Sequence, residues 1–313
     1  MVNVSNADRI VFPERGRTKG NVVAYYERIA PRALPHLLDR PLSIRRFPKG
    51  LAEPGFFQKN VPAHYPASIA RVSVPRSREA SKRHKKTTEP DVTVYPLVRE
   101  PEHLAYLANQ GAIELHVPSS RFSASFRPDK LIIDLDPPAG AIEEVRRAAL
   151  LVREALARYG LETAPMATGS KGYHVVAAIE PSEGADALWL TAYKFATLLA
   201  AAQPDLLTVA FRIALRQGRV FVDWLRNSAA AHAIAPYSLR ANARAGVATP
   251  LSWDELATVA PDAFTIDDVE TLLVREDSLA KLTPGDTQRY VREVDEDFAR
   301  AGLVLEPFDR FRS

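Results

Sequence analysis

The sequence contains no cysteine among its 313 residues. This absence excludes disulfide bonds, zinc sites built from thiolates and cysteine nucleophiles. Long apolar runs are also missing near the start, because residues 1–25 are polar and charged and contain no stretch typical of a signal peptide or a membrane span. These absences favour a reducing compartment, and we expect a cytoplasmic protein without membrane contact.

The net charge is small, at +3, but it is unevenly distributed along the chain. Residues 1–130 contain 22 Lys and Arg against 12 Asp and Glu, whereas residues 131–313 contain 19 against 26. A basic half beside an acidic half is expected of a polyanion-binding surface next to a metal site, although solvated charge explains it equally well. With 46% hydrophobic residues, the chain is long enough to bury a substantial core.

The segment LIIDLDPP at residues 131–138 is typical of a buried strand that ends in two acids. Side chains alternate between the two faces of a strand, so Asp134 and Asp136 share one face while Ile133 and Leu135 face the core. Two carboxylates this close repel each other unless a cation neutralises them. We therefore predict a divalent-metal site, with an exposed acidic strand end as the alternative.

A third acid leaves an apolar strand in the segment VFVDW at residues 220–224. An acid in such surroundings is costly unless it is paired or bound to a metal, so Asp223 is the natural third ligand. Between the acidic segments, residues 167–179 (ATGSKGYHVVAAI) predict a tight glycine turn followed by a strand. This turn gathers donors for an anionic ligand, namely Thr168, Ser170, Lys171 and His174.

Hydrophobic periodicity predicts most of the regular structure. Helices are expected at residues 21–39, 101–110, 141–159 and 185–202. In the first of these, Asn21 is the expected cap, and Pro31 and Pro35 should break the segment into short helices. Strands are expected at residues 42–47, 92–98 and 111–118, and in the last of them Glu114 and His116 share a face.

Two basic segments in the first half could contact phosphates. Arg9, Arg15, Arg17 and Lys19 are concentrated around the loop ERGRTKG, where they could hold a phosphate, or they form a solvated basic loop. Residues 75–90 contain six Lys and Arg and no aliphatic side chain larger than alanine, which predicts a loop or arm. Its expected role is non-specific attraction to nucleic acid through Lys82, Arg83, Lys85 and Lys86, with a solubilising loop as the alternative.

Two adjacent aromatic residues, Phe56 and Phe57, lie in the segment GFFQKN. In an extended segment one of them should point outward, and a ring beside Lys59 suits base stacking. The alternative is a pair of core phenylalanines in an irregular loop.

Four segments, in their order and spacing, resemble the archaeo-eukaryotic primase superfamily, and specifically the polymerase domain of bacterial DNA ligase D. They are LIIDLDPP, TGSKGYH, VFVDW and APYSLR. The likeness includes FPERGRTKG, RRFPKG, FFQK and IELHVP, so it extends nearly from end to end. It implies an α+β fold, a primase-like catalytic core of mixed β-sheets with flanking helices, in a single domain over residues 1–313. Within it we expect a basic DNA-binding part at about 1–125, the catalytic core at about 126–250 and a helical tail at about 251–313.

The resemblance further implies a template-dependent nucleotidyltransferase that fills gaps or extends broken DNA ends. It would use NTPs as well as dNTPs and two Mn²⁺ or Mg²⁺ ions, with the catalytic metal ligands Asp134, Asp136 and Asp223. The incoming nucleotide would be held by Arg46, His116, Thr168, Ser170, Lys171, His174, Arg216 and Arg240. Arg9 and Lys19 would hold a 5′-phosphate downstream of the gap, and Phe56 and Phe57 would stack near the template.

The chain departs from the family pattern at three positions. Thr168 stands where serine is usual, Arg226 where a neutral polar residue is frequent, and Asn242 where a second basic residue is common. These departures affect how the substrate is expected to bind and leave the implied reaction class unchanged.

The implied partner is gapped or broken double-stranded DNA with a 5′-phosphate, in the bacterial nucleoid, with Ku and a separate DNA ligase as candidate protein partners. The chain shows no ligase or nuclease module, so the sequence is consistent both with a stand-alone protein and with a piece of a larger ligase.

Two other functions stay open. A phosphohydrolase could use Asp134 as nucleophile, although the following prolines disfavour a flexible turn, and a non-catalytic module could bridge DNA ends without using the acids.

Overall fold

The computed structural model describes residues 3–75, 92–229 and 231–306. The strands are β1 (Ile10–Phe12), β2 (Arg17–Thr18), β3 (Ser43–Arg46), β4 (Phe56–Gln58), β5 (Ala70–Pro75), β6 (Val92–Leu97), β7 (Ala112–Val117), β8 (Lys130–Asp136), β9 (Thr163–Ala167), β10 (Tyr173–Ala178), β11 (Leu207–Thr208), β12 (Val220–Asp223), β13 (Ala233–Ile234) and β14 (Thr249–Pro250). The α-helices are α1 (Lys19–Leu37), α2 (Pro101–Asn109), α3 (Ile142–Arg158), α4 (Ala185–Ala202), α5 (Val269–Val274) and α6 (Thr287–Arg300). This composition confirms the predicted α+β class.

A six-stranded sheet forms the centre of the second half, in the order β11-β12-β8-β10-β9-β14. It is mixed, because β11 and β12 are parallel while the other neighbours are antiparallel. One face packs against α3 and α4, where Leu131, Ile133 and Leu135 join a buried apolar core. The opposite face of β8 carries Asp134 and Asp136, as the alternation of the strand predicts.

A four-stranded antiparallel sheet, in the order β13-β7-β3-β4, lies beside a second apolar core that includes α1 and α2. The expected break in α1 was wrong, because Lys19–Leu37 is one helix with both Pro31 and Pro35 inside it. Its cap is Thr18, and Asn21 completes a capping box with it. Burial of one face of α1, in contact with α2, offsets the backbone hydrogen bonds that the prolines remove.

The antiparallel pair β5–β6 frames the basic arm in the sequence. Lys82, Arg83, Lys85 and Lys86 themselves lie outside the described residues, so their role stays a prediction. The division of the chain into a basic part, a core and a helical tail also stays a prediction. Within the described ranges, no helix combines the length and the apolar character needed to cross a membrane.

Candidate active site

The three predicted acids lie together on one face of the six-stranded sheet. Asp223 on β12 lies directly across from Asp134 on β8, and His174 on β10 lies directly across from Asp134 on its other side. Asp136 follows two residues later on the same face of β8. Asp134 and Asp223 are buried, with 6% and 4% of their surfaces exposed, whereas the Asp136 side chain is half-exposed.

Three cationic or polar groups surround these acids. Arg226 Nε donates to Asp134 Oδ2 at 2.9 Å, and Arg226 Nη2 lies 3.5 Å from Asp223 Oδ2. His174 Nε2 lies 3.4 Å from Asp134 Oδ1, and Arg216 Nη1 lies 3.9 Å from Asp136 Oδ2. The negative charge is therefore only partly compensated by the protein itself.

The pKa values of the acids reflect this crowding. Burial raises the pKa of Asp223 to about 6, because Arg226 offsets only part of the effects of burial and of Asp134. Burial and the neighbouring Asp134 also raise the pKa of Asp136. For Asp134, burial acts in the same direction, but His174 and Arg226 outweigh it and hold the pKa well below its usual range. Ionising all three acids thus calls for additional positive charge.

The donor set suits hard divalent cations, since carboxylate oxygens are preferred by Mg²⁺ and Mn²⁺. In the described parts of the chain, no three His, Cys, Asp or Glu side chains are already arranged to hold a metal ion. The guanidinium of Arg226 contacts both Asp134 and Asp223 instead. The residues therefore fit the predicted metal by charge and chemistry, once Arg226 gives up these contacts.

The glycine turn is held tightly against the strand that carries the acids. The backbone and the hydroxyl of Thr168 both donate to the carbonyl oxygen of Gly172, at 3.1 and 2.8 Å. A Cβ atom at Gly172 would lie 2.0 Å from the carbonyl oxygen of Leu135, so a larger residue would push the turn away from β8. Asn242 Nδ2 donates to the carbonyl oxygen of Gly169 at 2.8 Å, which gives this departure from the family pattern a structural role.

A cleft of about 680 Å³ lies between the two sheets. Most of the predicted catalytic, nucleotide-binding and stacking residues line it, namely Phe57, His116, Asp134, Asp136, Thr168, Ser170, Lys171, His174, Asp223 and Arg240. Sequence reasoning assigned no role to several further lining residues, among them Arg45, Glu114, Phe211, Arg226 and His232. The structure thus brings together side chains from both sheets around one cavity.

Two predicted nucleotide-binding residues do not line the cleft. Arg46 donates to the carbonyl oxygen of Gln110 at 2.8 Å and to the side chain of Gln58 at 2.6 Å, whereas its neighbour Arg45 lines the cleft. Consecutive side chains of β3 face opposite sides, so a shift of one residue decides which arginine reaches the cavity. Arg216 lies at the edge, near Asp136, with its guanidinium 4.1 Å from the centre of the Phe221 ring.

Glu114 organises several of the cleft residues. Its side chain is 3% exposed, lies 3.0 Å from His116 Nε2 and accepts a hydrogen bond from the backbone of Ala241 at 3.0 Å. Arg45 Nη1 and Arg240 Nε lie 3.5 and 3.6 Å away. Burial would raise the pKa of Glu114, but His116 and Arg240 outweigh it and lower the pKa to about 2. The sequence indicates the contact between Glu114 and His116, because residues two apart in a strand share a face.

Both adjacent phenylalanines are exposed on β4, Phe56 at 49% and Phe57 at 59%. The alternative of two core phenylalanines is therefore wrong, and the outward orientation extends to both rings. The Phe57 ring lies 5.4 Å from that of His116, and the guanidinium of Arg46 lies 5.6 Å from the centre of the Phe56 ring. Their role in stacking on the template stays a prediction.

The cations of the N-terminal loop separate into two groups. Arg15 and Arg17 form ion pairs with Asp267 at 2.5 and 2.7 Å. Lys19 Nζ instead donates to the carbonyl oxygen and the hydroxyl of Ser5, at 2.6 and 2.9 Å, and its backbone N–H bonds to the carbonyl oxygen of Arg9. Burial and the nearby Arg9 lower the pKa of Lys19, because both disfavour its charged form.

Comparison with known proteins identifies the family. The family model described as the LigD primase-polymerase domain matches residues 18–279. The chain belongs to this family. It is 34% identical over 294 residues to the multifunctional non-homologous end joining DNA repair protein LigD of Mycobacterium tuberculosis, covering 91% of this chain and 37% of that protein. For LigD of Mycolicibacterium smegmatis the identity is 38% over 262 residues, covering 82% of this chain and 32% of that protein.

A solved structure is similar over most of the fold. The polymerase domain from Mycobacterium tuberculosis Ligase D, in complex with DNA, superposes with a TM-score of 0.79 at 33% identity, covering 90% of this chain and 98% of that one. The family and its primase-like fold are thereby confirmed. The LigD primase-polymerase domain is a DNA-directed nucleotidyltransferase and is metal-dependent in general. The chain spans about a third of the length of these curated relatives.

Proposed function

We propose that this chain is a template-dependent nucleotidyltransferase that fills gaps or extends broken ends in double-stranded DNA, using NTPs as well as dNTPs. One observation carries the proposal: Asp134, Asp136 and Asp223 converge on a cleft of about 680 Å³, a volume typical of small-molecule sites, in a LigD primase-polymerase domain. The names of the relatives assign them to non-homologous end joining. We extend that setting to this chain, with Ku and a separate DNA ligase as candidate partners.

Asp134, Asp136 and Asp223 would hold two Mn²⁺ or Mg²⁺ ions through their carboxylate oxygens. The chemistry that bound ions supply is a lower pKa of the primer 3′-hydroxyl and neutralisation of the triphosphate and leaving pyrophosphate. Rigid strands position the carboxylates, since β8 and β12 are paired at these residues and the apolar core holds their other face. Such pre-positioning avoids reorganisation during the reaction.

The triphosphate would be bound on the side of the cleft formed by the glycine turn. Thr168, Ser170 and Lys171 provide hydroxyl and ammonium donors there, and His174 projects from the strand that follows the turn. His116 would approach from β7 and Arg240 from the segment after β13, and both are in contact with Glu114. Donors fixed in this way each contribute on the order of a few kcal/mol to a charged transition state.

Arg216 and Arg46 lie beside the cleft rather than in it. Arg216 is close enough to Asp136 to reach a nucleotide phosphate by a side-chain rotation. Arg46 is held by Gln58 and Gln110, so we propose that it supports β4 and the exposed Phe56, while Arg45 faces the nucleotide. The exposed rings of Phe56 and Phe57 are available to stack on template bases.

Single-nucleotide gap filling tests the function. The protein should extend a primer across a one-nucleotide gap with Mn²⁺ and either an NTP or a dNTP, and the product should be one nucleotide longer. Hydrolysis of a simple phosphate ester without extension would identify a phosphohydrolase instead. Binding and bridging of DNA ends without extension would identify a non-catalytic module.

Lys19 should determine the preference for a 5′-phosphate. A terminal phosphate carries more charge than a phosphodiester, so Arg9 and Lys19 should distinguish a 5′-phosphorylated gap from a hydroxylated one. We expect wild-type protein to fill 5′-phosphorylated gaps about tenfold faster at subsaturating DNA, since a charge-assisted hydrogen bond contributes about 1.5–3 kcal/mol. Lys19→Ala should lose most of this preference, as measured by rates on paired phosphorylated and unphosphorylated substrates.

The matched control for this experiment is Lys281→Ala, which removes an exposed lysine that is paired with Glu276. It should keep the wild-type preference. Because Lys19 also holds Ser5, an equal loss of rate on both substrates would show that Lys19 supports the fold, and the phosphate assignment would be wrong.

A further inference from the structure

Arg226 lies where positive charge is most needed, between two of the three acids. It belongs to a short 3₁₀ helix, Leu225–Asn227, that directly follows β12. Its guanidinium reaches back to Asp134 at 2.9 Å through Nε and to Asp223 at 3.5 Å through Nη2. One arginine therefore bridges the same two carboxylates that face each other across β8 and β12.

The backbone of this turn is fixed beside the acids by Asn227, which is completely buried. The Asn227 amide donates to the carbonyl oxygens of Ile132 and Trp224 at 2.7 and 3.0 Å, and its oxygen accepts from the N–H of Ile132 at 2.9 Å. The neighbouring Arg226 can therefore change position only through its side chain. That side chain is 37% exposed and lines the cleft, so it has a path outward.

We infer that Arg226 is an internal cation that competes with divalent metal for Asp134 and Asp223 and moves to the nucleotide triphosphate when it enters the cleft. The inference rests on the metal site of the proposed function. A guanidinium and a metal ion cannot both use the carboxylate oxygens at close range, because their charges repel strongly in a buried site. Metal binding must therefore first break the Arg226 contacts, and this requirement weakens the apparent affinity.

The displaced guanidinium gains a new acceptor only when an anion occupies the cleft. A triphosphate provides several oxygens within the cavity that Arg226 already lines. Because nucleotide binding removes the competitor, metal and nucleotide should bind with positive cooperativity, and the coupling should be reciprocal. In the absence of nucleotide, the same arginine keeps the acids together without metal.

Titration of Mn²⁺ into the protein without DNA tests this inference directly, with the electron paramagnetic resonance signal of free Mn²⁺ as the readout. Arg226→Gln should bind Mn²⁺ about tenfold more tightly than wild type, within the range of known coupling effects. Arg226→Lys should also bind Mn²⁺ more tightly than wild type, because lysine lacks the planar fork whose Nε and Nη2 reach Asp134 and Asp223 separately. The control Arg300→Gln, which removes an exposed partner of Asp297, should match wild type.

A second readout uses a non-hydrolysable NTP analogue at one fixed concentration. Because the analogue also chelates Mn²⁺, the Mn²⁺ affinities of wild type and Arg226→Gln are compared at the same analogue concentration. The higher Mn²⁺ affinity of Arg226→Gln relative to wild type should become less pronounced when the analogue is present. Equal or weaker Mn²⁺ binding by both Arg226 variants would overturn the inference.

The variant Asp134→Asn separates the two proposals. If Asp134→Asn loses Mn²⁺ binding while the Arg226 variants gain none, the metal site stands and the role of Arg226 is wrong. If Asp134→Asn binds Mn²⁺ like wild type, the proposed metal site is wrong, and this inference is wrong with it.

Discussion

Replacing Asp134 or Asp223 by asparagine should abolish primer extension while leaving DNA binding intact. Both acids are buried on one sheet face and directly paired across β8 and β12, so each variant removes one of the carboxylates expected to hold the metal. We expect the rate to fall by at least about 10³-fold, as is common when charge stabilisation at a reacting centre is lost. Single-turnover incorporation in Mn²⁺ gives the rate, and fluorescence anisotropy of gapped DNA gives the binding.

Asp295→Asn is the matched control, because Asp295 lies on α6 in an exposed pair with Lys194. It should behave like wild type in both assays. Asp223→Asn should also unfold in EDTA at a temperature no lower than wild type, because burial and Asp134 raise the pKa of Asp223 and its charge therefore opposes folding at neutral pH. Asp134→Asn should unfold at a lower temperature, because it loses the contacts with Arg226 and His174 that hold the pKa of Asp134 low. Extension by either variant at the wild-type rate would contradict the metal assignment.

Glu114→Gln should produce a large loss of stability at neutral pH. The buried carboxylate contacts His116, Ala241, Arg45 and Arg240, and glutamine loses its charge and one acceptor. Because the folded pKa is about 2 and the unfolded value is about 4.3, the stabilisation is present above pH ~4.3 and is lost as the pH falls towards 2. A shift of this size corresponds to about 3 kcal/mol at pH 7.

Urea unfolding between pH 7 and pH 3 measures this difference, with Glu143→Gln as an exposed control from α3. The difference in unfolding free energy between wild type and Glu114→Gln should become smaller as the pH is lowered below about 4.3. A difference in unfolding free energy that stays constant with pH would show that the charge of Glu114 does not stabilise the fold.

The same variant should raise the KM for nucleotide, because His116 and Arg240 lose the group that orients them.

The acids could be predicted because alternation in a strand is a local property. The pattern of Leu131 to Asp136 predicts two carboxylates on one face and apolar residues on the other, and the structure has that arrangement. The polarity of VFVDW similarly makes Asp223 stand out. That Asp223 lies directly across from Asp134 depends on the pairing of distant strands, which one sequence does not reveal.

Other features depend on tertiary contacts that the sequence does not display. Arg45 and Arg46 are chemically identical neighbours, and the register of β3 alone decides which one faces the cleft. Arg226 is separated from Asp134 by most of the catalytic part of the chain, so its bridging contact appears only in the fold. Helix α1 continues through two prolines because its packing outweighs a local rule.

The most direct test of the proposed template-dependent activity is a one-nucleotide gap in which the template base is A, C, G or T in turn, with all four nucleotides and Mn²⁺ present. Mass analysis of the extended primer identifies the added nucleotide. We predict that wild-type protein adds the complement of the template base in each case and that Asp134→Asn adds nothing. The same nucleotide added on every template, or no addition on any, would contradict a template-dependent nucleotidyltransferase.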